Sequence, residues 1–285
     1  MERERVALGD YLRARRNVRQ PEEVGLERAP GRRVPGLRRD EVAQLAGISA
    51  EYYLRLEQGR GARPSDQVLR ALAGVLGLDA ESRAYLGRLA AGTPALPAPE
   101  DAAVADQIAR VLAQWTHTPA YMSDRHRDVV VANPLAAAFG FGGLAAGQNV
   151  VINLFNDRMK RTLDQWESMT RAAVATLRRD ADPDSPRLKE IIQELSHDED
   201  FVRIWERHDV SGPEDAQISI IVEGLGSLDV EIQNFGVRSL PGYIMTVMAA
   251  PPQSLAATVF SRLVERLAAA ESGTTRASQP LQPPR

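Results

Sequence analysis

The sequence predicts a two-domain protein, an all-α N-terminal bundle followed by an α+β domain built on one five-stranded antiparallel sheet. Three observations carry that expectation. The length of 285 residues corresponds to about two domains at roughly 100–200 residues each. Gly92-Thr93-Pro94-Ala95-Leu96-Pro97-Ala98-Pro99 stops any helix and favours a stiff, extended connector. Before that stretch the apolar residues recur at helical spacing only, and after it runs of helical and of strand character alternate. The expected boundaries are 1–91 for the bundle, 92–102 for the linker, 103–271 for the sheet domain and 272–285 for a disordered tail, Pro-rich and without aromatic residues.

Each N-terminal element has a chemical cause. Short amphipathic helices are expected over Ala7–Val18, Arg39–Ala46, Ala50–Gln58, Ser65–Leu76 and Ala80–Ala91. Gly47 stands where a C-cap glycine ends the second, Ser49 can cap the third, and Ser65 after Pro64 can cap the fourth. In the second domain Ala120–Ser123 and Arg127–Ala132 flank Asp124-Arg125-His126 as a hairpin. Met159, Leu163, Trp166, Thr170, Ala173 and Leu177 then predict one long helix, and Phe201, Ile204, Trp205 and His208 another, with Ser196 and Glu199 as its capping box. Gln217–Val222, Leu228–Asn234 and Gly242–Met248 read as three more strands, and Ser254–Ala270 as a closing helix.

Composition narrows the function classes. Zero cysteines remove disulfides, thiolate metal sites and thiol nucleophiles together. The apolar stretches Val129–Asn156 and Ser239–Ser261 are interrupted by Asn, Gly and Pro, so neither predicts a membrane span. The N-terminal region has no apolar run followed by a small-residue cleavage site, and a cytoplasmic location is the expectation. The net charge of −3 conceals an asymmetry: residues 1–91 hold 17 arginines against 13 acids, a surplus of four, and the remainder is acidic. The basic half is the one suited to a polyanion.

The segment Leu37–Gly59 has helix-turn-helix spacing. Ala43 is small where two helices cross, Gly47 turns the chain, and Ile48, Tyr53 and Leu56 face the bundle. Ser49, Ala50, Glu51, Tyr52 and Arg55 are left on the outward face and N-terminal end of the third helix, where a recognition helix meets base edges: Ala50 suits a thymine methyl, Arg55 a guanine and Glu51 a cytosine amino group. Arg39 opens the second helix, whose N-terminus suits a phosphate. Arg32, Arg33 and Arg38 in the long preceding loop, and Arg60 after the third helix, complete the expected DNA-binding set.

These residues resemble the XRE-type regulators of bacteria, in particular their MmyB-like subgroup. The resemblance rests on Leu8-Gly9-Asp10-Tyr11-Leu12-Arg13-Ala14-Arg15-Arg16, Pro35-Gly36-Leu37-Arg38-Arg39-Asp40-Glu41-Val42-Ala43, Tyr52-Tyr53-Leu54-Arg55-Leu56-Glu57-Gln58-Gly59-Arg60 and Arg63-Pro64-Ser65. It continues in Asp164-Gln165-Trp166-Glu167, Pro186-Arg187-Leu188 and Ile204-Trp205-Glu206-Arg207-His208-Asp209-Val210. It implies a lambda-repressor-like bundle that binds double-stranded DNA, and a C-terminal PAS-like domain that senses a small apolar effector such as a fatty acid. A homodimer on a palindromic operator is the expected assembly, and with no G-x-S-x-G elbow, no H-E-x-x-H pair and four scattered histidines no catalytic residue, metal or cofactor is expected. The chain departs from the pattern at Gln165, which separates the usual Asp-Trp pair, and around Glu223-Gly224, where a His-Pro turn is missing.

Aromatic and soft apolar side chains suit such a ligand, and Trp115, Tyr121, Phe139, Phe155, Trp166, Phe201, Trp205, Tyr243 and Met245 are the expected lining. Two alternatives stay open. The sheet domain could serve only as a dimerisation platform, or the glycine loop at residues 140–147, Gly140-Phe141-Gly142-Gly143-Leu144-Ala145 and onward, could bind a nucleotide in an enzyme. Against the second, the dinucleotide fingerprint requires a strand running into that loop, and Ala136–Phe139 reads as helix.

Overall fold

The computed structural model describes residues 2–28, 32, 34–60, 63–92, 102–139, 143–222 and 226–277, the side chains of 2–5, 102–105 and 271–277 excepted. In chain order the helices of the first segment are α1 (Glu2–Val18), α2 (Arg39–Leu45), α3 (Ala50–Glu57), α4 (Asp66–Val75) and α5 (Ala80–Ala91). Then follow α6 (Ala102–Leu112), β1 (Ala120–Ser123), β2 (Val129–Ala132), α7 (Pro134–Phe139), α8 (Val150–Leu154), α9 (Asp157–Thr162), α10 (Trp166–Asp180), α11 (Pro186–Leu195) and α12 (Glu199–Trp205). The chain closes with β3 (Ala216–Val222), β4 (Gly226–Gly236), β5 (Ile244–Ala249) and α13 (Leu255–Ala277). No helix among the described residues is long and apolar enough to cross a membrane.

Two compact units result: Met1–Pro97 with Val174–Gly212, and Ala98–Ala173 with Pro213–Arg285. The first therefore takes in a segment that the sequence reading assigned wholly to the sheet domain. The cause is visible in its side chains. Val210 enters the same apolar core as Leu8, Tyr11, Leu12, Leu72, Tyr85 and Leu86, and burying side chains of this size contributes roughly 1.5–3 kcal/mol each. Leu188, Ile191, Leu195, Phe201 and Ile204 are buried along α11 and α12.

Within the bundle, serine caps act where expected: Ser49 accepts from the Tyr52 amide and Ser65 from the Val68 amide. Gly47 turns the chain at φ +67°, a conformation that costs glycine nothing. Gly9 has a different duty. A Cβ there would stand 2.5 Å from the Glu57 carbonyl oxygen, so glycine is what lets α1 approach α3.

The second unit is organised by its sheet, in the order β2-β1-β5-β4-β3, antiparallel throughout. Tyr121, Ile218, Ile220, Leu228, Val230, Ile232 and Met248 share one core with Leu135, Phe139, Leu154 and Phe260.

Four expectations are corrected. The long helix expected from Met159 is two helices, because Leu163 leaves α9 in an extended conformation (φ −92°, ψ 111°), bridges Ile220, and lets the Asp164 amide donate to Ser219 at 3.0 Å. α12 is capped by Asp198, which accepts from the Asp200 and Phe201 amides, while the Ser196 hydroxyl turns back to donate to the Gln193 carbonyl. β2 starts at Val129 because Arg127 has φ +67°, outside the β region. α13 continues to Ala277, six residues into the expected tail; residues 278–285 of that tail, and residues 93–101 of the expected linker, lie outside the described residues.

The end of α12 yields a pH prediction. His208, in a left-handed conformation at φ +51°, is pushed down to about 3 by burial and then by the charges of Arg178, Arg15 and Arg13, with Asp209 pulling the other way. Its unfolded value is about 6.5. With the folded value the lower of the two, the unfolded chain binds more protons between them. Stability is fully present above about pH 6.5 and is lost progressively as pH falls towards 3. Acidification from pH 7 to pH 5 is expected to cost roughly 2 kcal/mol. Urea midpoints should fall over that interval in the wild type and much less in His208→Asn, a residue that tolerates positive φ; equal slopes would refute the assignment to His208.

Candidate nucleic-acid interface and ligand-binding domain

The DNA-facing geometry starts from a buried ion pair. Glu57, 1% exposed at the end of α3, accepts from Arg16 Nε of α1 at 2.6 Å and from Arg39 Nε of α2 at 2.6 Å. Burial pushes its carboxyl up, but the hydrogen bonds and charges of Arg16 and Arg39 outweigh that and hold it below the usual carboxylate range. One carboxylate thus fixes the relation of three helices. Arg16 also donates to the Leu37 carbonyl at 3.0 Å, tying down the chain that enters α2.

On this frame Ser49, Ala50, Glu51 and Arg55 stand exposed on one end and face of α3, and Tyr52 is half-buried. Glu51 and Arg55 are 4.0 Å apart with side chains 80% and 52% exposed, so their mutual attraction is worth little in water and both groups can exchange it for a partner. Arg38 and Arg60 are exposed as well. Arg39 keeps half of its side chain exposed while its Nε holds Glu57.

Arg32 is arranged differently from a phosphate-seeking side chain. Its guanidinium is turned inward, donating to the Gly36 carbonyl and forming an ion pair with Glu41. That contact, first, and burial against it leave the Glu41 carboxyl below the usual range, and Glu41 also accepts from the Arg38 amide. Arg32 therefore shapes the N-terminus of α2. Arg33 lies outside the described residues.

The expected ligand-lining residues divide between the units. In the sheet unit Tyr121 and Phe139 lie in the core, Phe139 edge-on to Phe260 at 4.8 Å. Phe155 meets Trp166 edge-on at 5.8 Å, and the Trp166 indole donates to the Leu154 carbonyl at 2.6 Å. Trp115, Tyr243 and Met245 are half-buried. Met245 pairs with Met122 and thus shares the opposite face of the sheet from Tyr121, which pairs with Thr246. Phe201 and Trp205, stacked at 5.6 Å, belong to the first unit.

A polar row absent from the sequence reading crosses the sheet. Tyr121, Thr246 and Asn234 occupy directly opposed positions on β1, β5 and β4. The Thr246 hydroxyl donates to Asn234 Oδ1 at 2.7 Å, and burial raises the Tyr121 phenol, with its hydrogen bond to Thr246 and the charge of Arg127 opposing. Period-2 patterning marks which face such residues occupy; it does not say that three strands align them.

Two family models match the chain. The model of the MmyB-like transcription regulator ligand binding domain matches residues 104–263, more than half of the chain. The protein belongs to the MmyB-like family of transcription regulators. A helix-turn-helix domain model matches residues 7–86, covering α1 through most of α5. No individually curated protein matches this MmyB-like regulator. The two matches and the two folds agree with a DNA-binding domain followed by a ligand-binding domain, the composition of a ligand-responsive transcription regulator.

The glycine loop of this MmyB-like regulator has a context unlike a dinucleotide site. Residues 140–142 lie outside the described residues. The loop is entered from α7, a helix, and Gly143 packs so closely on Asn153 that a Cβ would stand 1.8 Å from its Nδ2. Among the described residues no group of three or more His, Asp or Glu is arranged to hold a metal ion.

Proposed function

We propose that the protein is a cytoplasmic homodimer that reads a palindromic operator through α3 and releases or engages it when the C-terminal domain takes up a small apolar molecule of the fatty-acid class. The observation that carries this reading is the solvent-facing set Ser49, Ala50, Glu51 and Arg55 at the N-terminal end of a helix held by the Glu57 ion pairs. A twofold dimer presents two such helices to half-sites about 34 Å apart. The apolar core shared by Tyr121, Phe139 and Phe260 favours a hydrocarbon ligand, and the Tyr121-Thr246-Asn234 row provides polar groups for its head. A ligand acts only if it binds one dimer geometry more tightly than the other.

Fluorescence anisotropy on duplexes selected from a random pool tests the DNA half of the reading. Arg55→Ala is expected to weaken binding to the selected duplex by about 1–3 kcal/mol and to relax preference at one base pair, with the melting temperature unchanged because the side chain is exposed. Wild-type affinity in the variant would sink the assignment of α3. Mass spectrometry of organic extracts of the purified protein, with thermal shifts across a fatty-acid series, tests the ligand half; an empty extract and no shift would favour a dimerisation platform.

A further inference from the structure

The boundary between the two compact units falls inside a helix, between Ala173 and Val174 of α10. Upstream of it Trp166, Met169 and Ala173 pack against the core of the sheet unit, and the Trp166 indole donates to the Leu154 carbonyl. Downstream, Leu177 and Arg178 are buried in the first unit.

The downstream half ends on a chain of polar contacts that leads to α3. Arg178, 5% exposed, lies 3.9 Å over the Trp205 ring and donates Nη2 to the Trp205 carbonyl at 2.6 Å. Beyond Trp205 the left-handed turn at His208 delivers Asp209 to Arg15 of α1 at 2.5 Å and to Arg207 at 2.8 Å. Val210 enters the bundle core, and its carbonyl accepts from the Ser82 hydroxyl of α5 at 3.2 Å. Arg88 of α5 donates to the Arg179 carbonyl at 2.8 Å. Arg15 is followed directly by Arg16, whose guanidinium grips Glu57 of α3. Neighbouring residues of α1 thus hold the inserted segment on one side and the recognition helix on the other.

We infer that Asp209, acting through Arg15, is a positioning residue for α1 and, through the neighbouring Arg16 and its hold on Glu57, for the recognition helix. Only the purpose of this hold rests on the proposed DNA-reading function; the contacts stand without it.

Hydrogen exchange of the full chain, read peptide by peptide without ligand or DNA, tests this. Asp209→Asn keeps the size and removes the charge that Arg15 and Arg207 hold, and exchange in the C-terminal turn of α1 and in α3 is expected to quicken about 10-fold, since hydrogen bonds to charged groups are the stronger class. Asp209→Glu, which restores the charge, is expected to return exchange in both segments towards the wild-type rate, a rescue that a merely space-filling Asp209 does not predict. Unchanged α1 and α3 in Asp209→Asn, or no recovery in Asp209→Glu, would overturn the positioning role. Because no effector or operator enters, either failure is separate from a failure of the proposed function, which the anisotropy and extraction experiments test.

Discussion

Replacing Glu57 with alanine is expected to unfold the N-terminal bundle at denaturant concentrations where the sheet unit remains intact. The carboxylate is 1% exposed and serves both Arg16, itself 6% exposed in its side chain, and Arg39. Removing it leaves the Arg16 guanidinium buried with its principal counter-charge gone, and breaking a buried pair from one side costs about 3–5 kcal/mol. Domains of this kind have about 5–15 kcal/mol in all, so the loss is a large share. Exchange protection in α1 to α5 should collapse first on adding urea, with β1 to β5 protected to higher concentrations, and binding to the selected duplex should be lost. Glu57→Gln retains an acceptor of the same shape and should cost less. The wild-type carboxyl, held below its unfolded value of about 4.5, contributes stability above that value and loses it as pH falls through the lower folded one; Glu57→Gln should remove this part of the acid transition. Equal urea midpoints for Glu57→Ala and the wild type would contradict the account of how three helices are held.

Much of the fold was legible because its causes are local. β1 falls on the expected residues, since a run of Ala120-Tyr121-Met122-Ser123 meets Asp124, whose carboxylate accepts from the His126 and Asp128 amides and turns the chain. The helix-turn-helix was legible for the same reason: Ser49, Gly47 and the spacing of Val42, Ala43, Tyr53 and Leu56 are all set within a few residues of where they act. What was not legible depends on distant partners. Leu163 leaves its helix for Ile220 and Ser219, more than fifty positions along the chain. Val210 reads as any apolar residue until the bundle core receives it. Arg32 reads as a free basic side chain until Glu41 and Gly36 turn it inward. Pattern reveals the face a residue occupies and leaves open which element will meet it.

Asn133→Ala is expected to act in the opposite sense to Glu57→Ala, destabilising the sheet unit and sparing the bundle. Asn133 is 2% exposed and completes its hydrogen-bonding capacity: Oδ1 accepts from the Ala120 amide at 3.2 Å and the Ala136 amide at 2.8 Å, and Nδ2 donates to the Trp115 carbonyl at 2.8 Å and the Thr118 carbonyl at 2.7 Å. One side chain caps α7, fixes the start of β1 and holds the chain that leads into it. Alanine leaves these four backbone groups without that partner. At roughly 1–3 kcal/mol for each group left buried and unsatisfied, and with the carbonyls of Trp115 and Thr118 nearer to solvent than the fully buried Ala120 and Ala136, the cost comes to about 4 kcal/mol. Asn133→Asp separates the two halves of the role, because it keeps both acceptors and turns a negative charge on two carbonyl oxygens. It too should destabilise at neutral pH and recover in part as the carboxyl is protonated and regains a donor. Exchange in β1, β5 and α7 should quicken in both variants with α1 to α5 unchanged; loss of protection across both units together would mean that they unfold as one, and the separate responses expected here and for Glu57 would both fail.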